Sequence, residues 1–189
     1  MIRLRTKRYI VAIAILWALG PLVAHAQEAR LKNITLRKAN GALAVSFDVE
    51  GAFSNKVTEA ILRGVTADFS FIVSLNRVRS IWPDKELANV IVRHEIKYDT
   101  LKKAFTISKP WKGEESAVTQ SFAEAQKLMT EIHDLPLVPL DHLEKGTTYE
   151  LWAKAKLSKM TLPFYLHYVF YFVTLWDFET DWYTVDFVY

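Results

Sequence analysis

Four histidines downstream of the first 26 residues, His94, His133, His142 and His167, and a short acidic run, Asp177, Glu179 and Asp181, are the side chains here best suited to acid–base or metal chemistry. A histidine base needs a partner within hydrogen-bond reach, and a local zinc site needs ligands that fall on one face, as in His-x-x-x-His or His-Glu-x-x-His. Neither spacing occurs. His94 precedes Glu95, His133 precedes Asp134 and His142 follows Asp141, and neighbouring side chains diverge on any regular element. These histidines are read as surface or edge residues, which only the fold could bring together with carboxylates. The acidic run alternates with Phe178, Thr180 and Trp182, so on a strand its carboxylates share one face. Calcium would find oxygen ligands there but no glycine-bearing loop to wrap it, and the run is read as a solvated strand face.

The rest of the inventory narrows the chemistry further. There is no cysteine, which excludes thiol catalysis, Cys-ligated zinc and iron–sulfur clusters. With six glycines in all, no Gly-x-Ser-x-Gly elbow, phosphate-cradling loop or dinucleotide fingerprint is present, so no cofactor is expected. Asn33-Ile34-Thr35 is a glycosylation sequon inside a predicted strand and is read as chance.

Where the chain works is written in residues 1–26. Arg3, Arg5, Lys7 and Arg8 form a charged leader, Tyr9 to Leu22 are almost wholly apolar, and Ala24-His25-Ala26 has the small-x-small pattern cut by signal peptidases. The apolar stretch is broken by Gly20-Pro21 and falls short of the roughly 20 residues that span a bilayer. Cleavage is expected after Ala26, which makes the mature chain periplasmic. It removes four basic residues and no acidic ones, leaving 20 Lys and Arg against 21 Asp and Glu, a formal net charge of −1. The basic pI near 9.0 thus belongs largely to the leader. A nucleic-acid partner is not expected, because phosphate backbones need concentrated basic surface. The remaining 163 residues suffice for one domain with a real core.

Asn40-Gly41 is the preferred type I′ hairpin turn and fixes a register in which paired residue numbers sum to 81. Leu36 then faces Val45, Ile34 faces Phe47, Thr35 meets Ser46 and Arg37 meets Ala44, with apolar pairs on one face and polar pairs on the other. This predicts a hairpin of residues 31–39 with 42–50. Ser54 should cap a short helix burying Val57, Ala60 and Ile61, with Gly64 at its left-handed end. Strands follow at Phe69–Leu75, at Val90–Tyr98 and at Ala104–Ser108. Ser121 with Glu124 forms a capping box ahead of Phe122, Ala125, Met129 and Ile132 at helical spacing. That helix should end before Pro136 and Pro139, whose stretch reads as a connection within the domain. Tyr149, Leu151, Ala153, Ala155 and Leu157 alternate with polar residues in the cleanest strand pattern of the chain. Half-buried strands outnumber helices, which favours an antiparallel sheet with one wet face. The expected fold is mainly β, an antiparallel β-sandwich immunoglobulin-like in general architecture, with two short helices and a single domain over 27–189.

Residues 164–189 carry 12 of the 25 aromatic residues. Burying each contributes about 1.5–3 kcal/mol, so most must be covered by something. One reading makes them the core of the last strands. Another makes Tyr165, Tyr168, Phe170, Tyr171, Phe172 and Trp176 a surface for a partner or a membrane interface, where Tyr and Trp are favoured. The run is too short for a transmembrane helix and is closed by Pro163 and Asp177. A third reading notes that Tyr183, Val185, Phe187 and Tyr189 alternate to the C-terminus, as in the terminal strand of outer-membrane barrels, although two helices and the lack of repeated alternating segments oppose a barrel.

Several motifs together resemble one family: Glu59-Ala60-Ile61-Leu62-Arg63-Gly64-Val65, Asn76-Arg77-Val78-Arg79-Ser80-Ile81-Trp82, Ile96-Lys97-Tyr98-Asp99-Thr100-Leu101 leading to Phe105, Leu162-Pro163, and the Trp176–Trp182 segment. They are similar to the exported proteobacterial proteins grouped as domain-of-unknown-function family 4390, over nearly all of the mature chain. The resemblance implies one domain in a Gram-negative periplasm or envelope and brings no catalytic residue with it. The expectation is a non-catalytic periplasmic binding or accessory module with an envelope protein as partner. Its alternatives are a membrane-interface or outer-membrane structural protein and, in a different class, a hydrolytic or metal-dependent enzyme assembled in space from the histidines and carboxylates.

Overall fold

Asn40 and Gly41 close the first hairpin with φ of +50° and +76°, the left-handed pair that a type I′ turn demands. The computed structural model describes residues 29–113, 115–161 and 178–189. It pairs β1 (Arg30–Ala39) with β2 (Ala42–Glu50) in the expected register from the turn out to Thr35 opposite Ser46. Beyond that the register changes. Lys32 pairs with Asp48 and Leu31 with Val49, so Asn33 and Ile34 form a bulge and Ile34 is not the simple partner of Phe47. Asn33 takes φ +54° and its amide donates to Asp48 Oδ2 at 2.8 Å. The placing of apolar residues explains the extra residue: after Leu36 and Ile34, strict alternation would turn Lys32 inward, whereas the bulge turns Leu31 to the core.

The helices start where their caps are. Ser54 Oγ accepts from Val57 N at the start of α1 (Asn55–Leu62), which buries Val57, Ala60 and Ile61 and is followed by Gly64 at φ +88°. Ser121 Oγ accepts from Glu124 N at the start of α2 (Phe122–Thr130). Only half of the capping box forms, because the Glu124 carboxylate accepts from Thr119 Oγ1 instead, at 2.5 Å. Between the helices run β3 (Thr66–Arg77), β4 (Lys85–Asp99), β5 (Ala104–Ser108) and the short β6 (Ala117–Thr119). After α2 come β7 (Glu131–Pro139), β8 (Thr148–Thr161) and β9 (Tyr183–Val188).

β7 corrects the sequence reading twice. Ile132 belongs to this strand and not to the helix, and the Pro136 to Pro139 stretch is strand and not connection. The prolines are tolerated because the smaller sheet has the order β1-β2-β7, which leaves β7 on its edge. Ser46 is a third correction. It lies on the face expected to be wet, yet it is buried, and its Oγ accepts from the backbone N of Asp134 at 2.9 Å. Asp134 sits in a β7 bulge at φ +51°, and its carboxylate takes both Arg37 Nε and Nη2, at 2.6 and 2.9 Å. Arg37 is on β1 and Asp134 on β7, so the pair reaches across the small residues Ala44 and Ser46 of the central strand.

The larger sheet has the order β6-β5-β4-β3-β8-β9, antiparallel throughout. Its two ends are edge strands, so this sheet is open and the barrel reading is set aside. Phe69, Phe71, Val73 and Leu75 of β3 and Tyr149, Leu151, Ala153 and Ala155 of β8 turn inward, all fully buried. They meet Leu43, Val45 and Phe47 of β2 in a single core, with the Phe47 and Phe71 rings 6.0 Å apart between the sheets. The fold is thus mainly β, with two antiparallel sheets facing one another and two short helices.

Candidate functional site

Among the described residues, those with the most evident chemistry do not assemble. His94, expected near the surface, is completely buried on the inner face of β4, between Val92 and Ile96. Trp111, from the 3-10 turn Pro110–Lys112, donates its indole N–H to His94 Nε2 at 3.1 Å. An indole can only donate, so Nε2 carries no proton, and Nδ1 must hold it and donate to the Met129 carbonyl, 2.9 Å away at the end of α2. The imidazole also packs against Phe71, with ring centroids 4.8 Å apart, and lies parallel to Trp111. Burial is the main cause that holds its pKa down at about 4; the Met129 carbonyl pulls the other way, and Lys109 and Lys112 add to the lowering. Both ring nitrogens are used, so His94 is a neutral structural link between β4, α2 and the Trp111 turn. Alternation could have placed it inside, since His94 lies in phase with Val92 and Ile96.

His133 is exposed on β7 and contacts Glu131 at 2.9 Å, and His142 is exposed in the 3-10 turn Leu140–His142. Among the described residues no three His, Asp or Glu side chains come together as a metal site. The acidic run divides. Glu179 forms a bridge to Lys156 of β8 and its carboxylate is 2.5 Å from Lys154 Nζ. That hydrogen bond is the main cause holding the Glu179 carboxyl below its usual range. Phe178 packs on Phe69 at 4.9 Å, while Thr180 is buried, its Oγ1 accepting from Ala155 N at 3.0 Å. His167, Asp177 and the proposed aromatic surface, Tyr165, Tyr168, Phe170, Tyr171, Phe172 and Trp176, lie outside the described residues.

A different group does converge, on the outer face of the larger sheet. Cross-strand register sets Arg93 of β4, Ser70 of β3 and Lys156 of β8 in one row, and Ile91, Ile72 and Lys154 in the next. A shift of register between Asp68 and Phe69 leaves Ser158 as the extra residue of β8. Its hydroxyl hydrogen-bonds to that of Ser70 from 88 residues away in the chain. Together with Phe178 and Glu179, these residues except Lys154 line a half-open cleft of about 430 Å³. Beside it, Lys154 lies 5.2 Å over the ring of Trp182, which meets Trp152 edge-on at 5.9 Å. Sequence reasoning missed this cleft because each member looks like an ordinary wet-face residue. The signal that existed was three alternating strands with cations and hydroxyls on one phase, and only their order in the sheet makes a row of them.

Fold and cleft together define a mainly β protein of two facing antiparallel sheets, with a cationic, hydroxyl-lined recess on the outer face of the larger one. The chain belongs to the family described as domain of unknown function DUF4390, which matches residues 26–186. No curated protein and no solved structure matches it.

Proposed function

We propose that this protein is an exported, non-catalytic binding or accessory module of a Gram-negative cell envelope, cut after Ala26 and acting in the periplasm on an envelope protein partner. The observation that carries the binding reading is the outer-face cleft, where Arg93 and Lys156 flank Ser70 with no carboxylate within hydrogen-bond distance of either among the described residues. The non-catalytic reading is supported by the scattering of the histidines over β4, β7 and a 3-10 turn, with His94 committed to packing. Export is supported by the charged leader and its apolar run. Crosslinking in intact envelopes followed by affinity capture tests the module: one dominant envelope protein is expected, and capture of none would overturn the partner reading. Intact-mass measurement tests export, with Gln27 as the expected first residue and a retained leader as the contrary result.

A second reading has its own observation. The loop between β3 and β4 exposes Ile81 and Trp82, at 89% and 72%, beside Arg79. An apolar pair next to a cation suits the interface of an anionic membrane. Carbonate extraction separates the two, since a periplasmic module washes off and an interfacial or outer-membrane structural protein is retained.

A further inference from the structure

We infer that the cleft on the outer face of the six-stranded sheet binds a phosphate-class anion carried on an apolar group, with Arg93, Lys156 and the Ser70–Ser158 hydroxyl pair as its polar contacts. The inference rests on the binding-module reading and names the ligand class for it. Charge is the first argument. Arg37, Arg77 and Lys154 each have a carboxylate oxygen within hydrogen-bond distance, at 2.6, 2.5 and 2.5 Å. Among the described residues Arg93 and Lys156 have none, although they stand either side of Ser70 in one row. Glu179 lines the same cleft, hydrogen-bonded to Lys154 and acting on Lys156 by charge alone. Asp68 and Glu95 face each other one row away, and neither forms an ion pair with Arg93 or Lys156. A site where Arg93 has no carboxylate partner and Lys154 and Lys156 share the one carboxylate of Glu179 therefore favours an anion.

Proton counting is the second argument. Ser70 and Ser158 bring two hydroxyl protons, and their mutual hydrogen bond uses one. Among the described residues no acceptor takes the other, so a donor is left at a cleft whose neighbouring side chains are a guanidinium and an ammonium. Three kinds of donor lining one cleft match the several acceptor oxygens of a phosphate, and the planar fork of arginine can take two of them at once.

Size and lining give the third. A cleft of about 430 Å³ holds far more than a small ion, since a water molecule takes about 30 Å³ in the liquid. Ile72, Ile91 and Phe178 form its apolar wall, and Ile91 is 59% exposed although it lies in the middle of a sheet. An apolar substituent on the anion would cover it. The shared chemistry belongs either to a lipid headgroup with its chains or to phosphate free in solution.

Titration calorimetry of the purified chain with inorganic phosphate, monomeric dihexanoyl phosphatidate and monomeric dihexanoyl phosphatidylcholine tests the site and its source. Phosphatidate is expected to bind more tightly than phosphate or phosphatidylcholine. Arg93→Gln and Lys156→Gln should each weaken it roughly tenfold or more, the loss expected for one charge-assisted hydrogen bond. Ile91→Ser should weaken phosphatidate and leave phosphate unchanged. Equal binding of phosphate and phosphatidate, lost in both Gln variants, would keep the anion contacts, assign them to free phosphate and overturn the apolar group. All three substitutions lie on the outer face, so melting curves should confirm that the variants fold, and Ser70→Ala provides a further arm that leaves the charges in place. No binding of any probe, unchanged binding in the Arg93→Gln/Lys156→Gln double variant, or an equal loss in Lys85→Gln would overturn the inference. Envelope fractionation and partner capture decide the module reading separately, so failure here would be distinguishable from failure there.

Discussion

His94 shows how a single side chain takes its role from three elements at once. Its imidazole is neutral in the folded chain, with a pKa near 4 against 6.5 for the unfolded residue. Above pH 6.5 both states are neutral and its contribution is complete. Between pH 6.5 and 4 the unfolded chain takes up a proton that the folded chain refuses, so stability falls with pH and the loss is complete below about 4. The shift corresponds to about 3 kcal/mol. Urea denaturation between pH 7 and 4 should show this slope, and His94→Phe should flatten it even though the variant is less stable overall. An identical slope in both proteins would mean that His94 is not sealed. At the same scale, Phe47→Ala should cost about 3–5 kcal/mol by opening a cavity at the sheet–sheet contact. Ser46→Ala should cost about 1 kcal/mol, because the part-buried Asp134 N–H loses its acceptor. A silent Ser46→Ala would restore the wet-face assignment that alternation alone suggests.

Among the elements, β1 depends on its bulge. With the extra residue at Asn33-Ile34, Leu31 faces the core and Lys32 faces water beside Glu50. Leu31→Ser should therefore cost about 1–2 kcal/mol through lost apolar burial, and Lys32→Ser less than about 0.5 kcal/mol. Chemical denaturation of the two variants measures the difference, and the reverse order would show an unbulged strand. β7 and α2 divide at Glu131 for a related reason. Helical spacing carries on through Ile132, but β2 has a free side for a strand there, and pairing of Phe47 with Ile132 satisfies backbone groups that a longer helix would leave open.

On the scale of the whole molecule, the two sheets share one core, so neither has an apolar face to bury without the other. Unfolding followed by far-ultraviolet and near-ultraviolet circular dichroism should give coincident transitions, as expected for one cooperative domain. Phe71→Ala, which loosens the contacts with both Phe47 and His94, should shift both probes together by about 3–5 kcal/mol. Transitions that separate in this variant would mean that the sheets unfold independently. A formal net charge of only +3 over the whole sequence and the segregation of Arg93 and Lys156 into one row are compatible, because net charge says nothing about placement.

Much of this architecture was legible in residue order because its signals are local. A turn that needs two left-handed residues finds Asn40-Gly41, caps find Ser54 and Ser121, and period-two alternation in β3 and β8 requires only that one face be buried. Even the β1 bulge and the inward His94 left traces in the phase of nearby apolar residues. What the sequence could not decide is what depends on neighbours distant in the chain. The prolines of β7 are acceptable only because β7 became an edge, Ser46 is dry only because Arg37 and Asp134 join above it, and the cleft exists only because β8 lies beside β3. Spacing along a chain fixes which face a residue occupies, whereas the charge and hydrogen-bond partners it meets on that face are set by strand order in the sheet.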